Sequence, residues 1–181
     1  MKRLLVCTGL LAAGMFAIAQ SKTPASPAET ATGSIGGHTV TVSYSSPAVK
    51  GREGQIFNKG GLIQKTHKEY PVWRAGANAA TTLTTDANLK IGNIDVPAGK
   101  YTLFVDISDP DNWVLIVNKK TGEWGLAYDA SQDLGKTKME MSKPSAMVEH
   151  LKYTISSEGA NKGKLTLAWE DHEASVPIEA Q

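Results

Sequence analysis

Leu151-Lys-Tyr-Thr-Ile-Ser-Ser-Glu-Gly-Ala-Asn-Lys-Gly-Lys-Leu-Thr-Leu-Ala-Trp-Glu170 is the stretch that decides the fold class. Leu151, Tyr153 and Ile155 alternate with Lys152 and Thr154, and Leu165, Leu167 and Trp169 alternate with Lys164, Thr166 and Glu170. A period of two sends one set of side chains to an apolar face and the other to water, as in a half-buried β-strand. Gly159-Ala-Asn-Lys-Gly163 between the two runs tolerates a chain reversal, so the stretch reads as a hairpin. Ser175 to Ile178 adds a last short strand.

The same signal recurs upstream. Thr39 to Tyr44 places Val40, Val42 and Tyr44 on one face and Thr41 and Ser43 on the other. Ala80 to Thr85 and Leu89 to Val96 read as further strands, followed by a tight turn at Pro97-Ala98-Gly99. Tyr101 to Ile107 and Trp113 to Val117 are apolar on both faces, as in central strands, and Asp109-Pro-Asp-Asn112 joins them as a hairpin. Trp124 to Tyr128 and Thr137 to Met141 are weaker strand signals. No amphipathic helix exceeds about three turns. Short strands at this spacing predict an all-β single domain, an antiparallel β-sandwich or jelly roll, with a partly closed β-barrel as the alternative.

Lys2 and Arg3 precede an uncharged apolar run from Leu4 to Ile18 that ends at Ala17-Ile18-Ala19. A basic start, an apolar run of this length and small residues at its end predict a signal peptide over 1–19, cleaved after Ala19, and thus a periplasmic or extracellular protein. The run is shorter than the roughly 20 residues of a spanning helix, and no second one follows. Cys7, the only cysteine, would leave with the leader, so neither a disulfide nor a thiolate is expected in the domain. The chain has 19 basic and 18 acidic side chains, and losing Lys2 and Arg3 brings the net charge to about −1. That balance argues against nucleic-acid binding. Residues 20–34, rich in Ser, Thr, Ala and Pro, read as a flexible arm before a domain over 35–181.

One segment does not read as scaffold. Pro47 to Asn78, PAVKGREGQIFNKGGLIQKTHKEYPVWRAGAN, shows no convincing strand or helix. Unstructured connections beyond about 12–15 residues are uncommon in compact domains and are usually functional or disordered. Ile56, Phe57, Leu62, Ile63, Val72 and Trp73 give this one too much apolar surface for disorder, so it is expected to lie packed across the sandwich. Arg52, Trp73, Arg74 and Asn78 stand out within it. Arg offers a planar fork of donors to oxyanions, Asn a donor and an acceptor, and Trp a flat apolar face. Equally, Arg52 can pair with Glu53 or Glu69 or satisfy loop carbonyls, and Trp73 can be core. Asn118, where an apolar strand turns polar, is either a hairpin residue or part of the same pocket. Trp124, beside Thr121-Gly122, is either core or a stacking platform for a sugar ring.

Gly51-Arg-Glu53 with Ile56-Phe57, Val72-Trp-Arg-Ala-Gly-Ala-Asn78 with Ala80-Thr81, and Pro97 to Phe104 form an ordered set of motifs. Trp113 to Lys119, Trp124-Gly125 and Tyr128-Asp129 complete it. Together, over about residues 40–178, the chain resembles the bacterial secreted proteins of the domain of unknown function 2911 family. The resemblance implies a β-rich extracytoplasmic domain and supplies no activity. The family pattern often carries an acidic residue after Gly-Ala-Asn, where this chain has Ala79.

His38, His67, His150 and His172 show no metal-ligand spacing, and Asp106, Asp109, Asp111 and Asn112 read as a turn rather than a calcium loop, so no metal or other cofactor is expected. There is no G-x-S-x-G elbow. The leading expectation is a non-enzymatic binding module in which Arg52, Trp73, Arg74, Asn78, Asn118 and Trp124 receive an envelope glycan or small anion. The alternatives are an envelope-directed hydrolase using paired carboxylates from Glu53, Glu69, Asp106, Glu123 and Asp129, and a structural envelope protein in which Arg and Trp only clamp the loop.

Overall fold

A computed structural model of the chain describes residues 24–122, 124–125 and 127–181. The expected leader and its cleavage site lie outside the described residues. The described chain folds as two antiparallel sheets laid face to face. The first runs in the order β1 (Ala28–Ile35), β2 (His38–Ser45), β4 (Thr81–Thr85), β7 (Gly99–Asp106), β8 (Val114–Asn118) and β9 (Asp133–Lys138), with β3 (Val72–Trp73) also paired to β7. The second runs β11 (Val148–Ser157), β12 (Lys162–Glu170), β13 (His172–Ala180), β5 (Leu89–Ile91) and β6 (Ile94–Val96), with β10 (Glu140–Ser142) also on β13.

The alternation read from the C-terminal stretch is what builds the core. Leu151, Tyr153, Leu165, Leu167 and Trp169 turn inward from the second sheet and meet Val40, Val42, Leu83, Leu103, Val105, Leu115 and Val117 of the first. Each such side chain contributes roughly 1.5–3 kcal/mol by leaving water. β7 and β8 are apolar on both faces because their outer face is also covered: Phe104 and Ile116 are buried there, and the Tyr128 ring packs on Phe104 at 5.0 Å.

The two sheets draw together along both flanks. On one, a Cβ at Gly33 of β1 would lie 2.4 Å from Ile155 Cγ2 and 2.9 Å from its carbonyl in β11. On the other, a Cβ at Gly135 of β9 would lie 2.8 Å from Ile94 Cγ2 in β6. The sheet edges approach through glycine without merging into one ladder, so the fold is the sandwich and not the barrel.

Several local expectations are corrected. Residues 28–34, expected in the flexible arm, belong to β1, which pairs with β2 from Ala28↔Ser45 to Ile35↔His38. Few large apolar residues are needed, because a full ladder satisfies the backbone and Gly33 admits close approach to β11. Leu89 to Val96 is two strands folded back on each other at Gly92, whose φ of 58° makes the turn. Thr137 to Met141 divides between β9 and β10, in different sheets. Of Trp124 to Tyr128, none of the described residues joins a strand; Trp124 makes a single bridge to Ala79.

Candidate functional site

Pro47 to Asn78 contains one helical turn, α1 (Leu62–Thr66), and the two residues of β3; the rest joins no ladder beyond an isolated bridge from Ala48 to His150. Apolar anchors hold it down. Val49 and Ile56 are fully buried, Ile63 and Trp73 nearly so, and Phe57 packs among Trp73, Trp113, Trp169 and His172 with centroids 4.5–5.7 Å away. Backbone bonds add to this: Val49 N–H donates to Glu149 O at 2.8 Å, and Leu62 N–H to Gln55 O at 2.8 Å.

Beneath the segment lies a cavity of about 270 Å³. Its walls include Pro47, Ala48, Lys50 and Arg52 from the start of the segment, Ile63 and His67 from α1 and its end, Trp73 and Arg74 at β3, and Trp169 of β12. Ala25 and Ser26, inside the expected arm, close one side. Among the described residues the lining carries three cations and no carboxylate.

Arg52 folds back on its own loop, Nε donating to Val49 O at 2.9 Å and Nη2 to Ala48 O at 2.7 Å. Arg74 donates from Nη1 to Asn78 O at 3.0 Å, while its Nε is buried with no partner among the described residues. Neither guanidinium pairs with a described carboxylate. Burial draws the Arg74 pKa below its ordinary value, because a charge with little water around it is costly. The backbone that carries Arg74 is fixed: the Ala75 carbonyl accepts from Tyr153 Oη at 3.0 Å and Thr81 Oγ1 at 3.1 Å. Gly125 lets its backbone lie against Arg74, since a Cβ there would fall 2.5 Å from Arg74 Cδ.

His67 was not among the expected site residues. It is 7% exposed, and its Nδ1 lies 3.1 Å from the Ile63 carbonyl. Desolvation first, and then the nearby Arg74 charge, lowers its pKa to about 4, so the ring is neutral at pH 7. Nε2 has no partner among the described residues, and neither has the buried Nε1 of Trp169. Nothing in the sequence marks His67: it is a lone histidine one step past a five-residue helix.

Among the described residues, four non-glycine residues have positive φ: Lys50 (51°), Ala75 (49°), Asn78 (55°) and Glu170 (59°). Lys50 lines the cavity, Ala75 and Glu170 each adjoin a lining residue, and Asn78 accepts from Arg74. Left-handed backbone of this kind costs on the order of 1–3 kcal/mol and tends to gather at functional sites.

Of the six expected site residues, Arg52, Trp73 and Arg74 therefore share the cavity. Asn78 stands beside it, exposed, its Nδ2 donating to Ser26 O at 3.3 Å. Asn118 does not reach it: buried in β8, it donates to Asp129 O at 2.9 Å and Asp133 Oδ1 at 2.8 Å, and its Oδ1 accepts from Lys120 N–H. Trp124 is 62% exposed and outside the lining, so the core alternative for it does not hold.

Two of the carboxylates considered for hydrolysis have local roles, Asp106 accepting from Ser108 N–H and Asp129 from Ser131 N–H and Oγ; Glu123 lies outside the described residues. Asp109 accepts from Asp111 N–H and Asn112 Nδ2 within its turn. Glu170, Asp171 and His172 bring ligand-type atoms within 4.8 Å of one another. Glu170 is already engaged by the Gly54 N–H, and the His172 ring lies flat on Trp113 at 9°.

No curated protein and no solved structure matches the chain. One family does, described as "Protein of unknown function (DUF2911)", over residues 26–178. That span takes in both sheets and the whole segment over the cavity, and the chain belongs to this family.

Proposed function

We propose that the domain is a non-enzymatic binding module that takes a small anionic ligand into the cavity beneath residues 47–78. The supporting observation is that Lys50, Arg52 and Arg74 all line the cavity, with no acidic residue among the described lining. A partly desolvated cation without a counter-charge is unfavourable, and an oxyanion removes that cost while accepting the guanidinium N–H groups. The cavity volume lies just below the roughly 300–1,000 Å³ of small-molecule sites, which suits a compact ligand or one terminal unit of a larger one. The leader expected over residues 1–19 would place such a module in the periplasm or outside the cell, where envelope glycans and small anions are available.

Calorimetric titration with a panel of small anions and acidic envelope glycans tests this. The wild type is expected to bind at least one, and Arg74→Ala, verified as folded, to bind it at least tenfold more weakly. No binding by the wild type, or equal binding by both proteins, would refute the reading.

One observation favours a structural role instead: Arg52 spends two donors on the carbonyls of its own loop. In that case Arg52→Ala lowers stability and no anion raises it.

A further inference from the structure

Of the four tryptophans, Trp73, Trp113 and Trp169 are at most 2% exposed, whereas Trp124 is 62% exposed. A single apolar residue on a surface is ordinary, but this one is held there from both sides. Its backbone bridges to Ala79, and its carbonyl accepts from Ala127 N–H at 3.0 Å. The next residue, Gly125, is buried against Arg74. Successive residues of an extended chain face opposite ways, so with Gly125 turned inward the Trp124 ring turns out.

The ring stands beside an open groove of about 390 Å³ on the outer face of the first sheet. Ala79 and Gly122 line that groove. Directly opposed residues of an antiparallel pair send their side chains to the same face, which puts the indole on the Ala79 side of the bridge. The floor is a row of hydroxyls, Thr30 of β1, Ser43 of β2 and Thr82 of β4, opposed strand by strand. At about 4.8 Å from strand to strand, the row runs roughly 10 Å. Thr30 and Ser43 are exposed, and none of the three hydroxyls has a hydrogen-bond partner among the described residues. The next position, Thr102 of β7, is buried and donates to Lys120 O at 2.6 Å. The chain leading on to Gly122 and Trp124 therefore stands as the wall at that end. Glu29 and Lys100 are the charged residues of the described lining, and their charges cancel.

Threonine on the solvent face of a strand is common by propensity alone. An aromatic face, a row of unpaired hydroxyls and no net charge along one groove is a narrower chemistry. We infer that the groove binds an uncharged glycan chain. Trp124 stacks on the apolar C–H face of a pyranose ring, and the hydroxyls of Thr30, Ser43 and Thr82 exchange hydrogen bonds with those of the sugar. A hydroxyl both donates and accepts, as the sugar's own groups do, so the row suits a sugar better than an ion. Gluco-configured rings fit best, because their equatorial hydroxyls leave the ring faces apolar. The groove shares no described lining residue with the cavity beneath residues 47–78, and the inference does not depend on the anion reading.

Cellotetraose and tetra-N-acetylchitotetraose, titrated into the full mature chain with glucose as the short control, test this. Iodide should quench Trp124 and spare the three buried tryptophans, and at least one tetraose is expected to protect Trp124 from it. That tetraose should bind at least tenfold more tightly than glucose by calorimetry. Trp124→Ala is expected to weaken its binding about tenfold or more, and Trp124→Phe, which keeps a ring, to weaken it less. Thr82→Val, which removes a hydroxyl at nearly constant shape, should weaken it about threefold or more. Circular dichroism verifies that each variant is folded. No binding of either tetraose by the wild type, or undiminished binding by folded Trp124→Ala, would overturn the inference. So would protection of Trp124 that rises with protein concentration in the absence of sugar, which would assign this face to contact between two copies of the chain.

Discussion

Glu170, at the β12–β13 turn, accepts the backbone N–H of Gly54, 116 positions earlier in the chain. The bond ties the segment over the cavity to the second sheet beside Trp169. Burial raises the Glu170 pKa, outweighing the Gly54 bond that lowers it, with Asp171 adding a smaller upward push. The folded state thus prefers the protonated acid, and this group's contribution to stability grows as pH falls through its raised folded pKa toward the ordinary value of 4.5. Glu170→Gln, which keeps an acceptor without the charge, is expected to match or exceed wild-type stability at pH 7 by up to about 1 kcal/mol, with the gain shrinking toward pH 4. Glu170→Ala leaves the Gly54 N–H unpaired and should lose about 1–3 kcal/mol. Urea unfolding at both pH values checks the pair, and a Gln variant less stable than Ala would contradict the assignment.

His67 works in the opposite sense. Its folded pKa of about 4 lies below the ordinary 6.5, so between these values the unfolded chain binds more protons. Stability is fully present above about pH 6.5 and is lost as pH falls toward 4. The difference corresponds to at most about 3 kcal/mol. The groups that matter are Arg74, whose charge opposes protonation, and the Ile63 carbonyl, which favours it; Lys68, Glu69 and Tyr128 share the adjoining void. In His67→Gln this part of the acid sensitivity should vanish. An identical pH–stability profile in wild type and variant would exclude a buried neutral histidine.

Arg52 clamps the start of the segment. Arg52→Ala removes two charge-assisted bonds to carbonyls that join no ladder there, and a loss of about 1–3 kcal/mol is expected. Arg52→Lys cannot reproduce the fork and should fall between. Unchanged denaturation midpoints in both variants would count against the clamp.

The two tryptophans singled out in the sequence should behave differently. Trp73 is buried against Phe57, Trp113 and Trp169, stacking on the last at 5.9 Å, and Trp73→Ala is expected to cost about 3–5 kcal/mol. Trp124 is exposed, and Trp124→Ala should change stability by no more than about 0.5 kcal/mol. Thermal unfolding of the two variants side by side decides this.

The sandwich was legible because Leu165, Leu167 and Trp169, like Val40 and Val42, repeat with a period that only a half-buried strand explains. β1 was not, since Ala28 to Ser34 draws its order from pairing with β2 and from a glycine contact with β11, neither of which local sequence displays. The turn inside Leu89 to Val96 rests on Gly92, which could have been read as a break. For the site, Arg52, Trp73 and Arg74 were legible as chemistry concentrated in a segment without periodicity. Asn118 was misplaced because its partners, Asp129 and Asp133, lie across a loop whose path the sequence does not reveal. His67 and Trp169 acquire their meaning from what surrounds them: one looks like a surface histidine, the other like an ordinary strand residue.

Gly33 and Gly135 have a consequence beyond packing. A sandwich with open sides would offer outermost strands as templates on which another chain can add, the usual beginning of fibrous association. Here those strands lie shoulder to shoulder with the opposite layer, at distances no β-carbon could occupy. Even alanine would press on the Ile155 carbonyl at Gly33 and on the Ile94 side chain at Gly135, so the first symptom of either change should be a stickier protein, before any loss of ligand recognition.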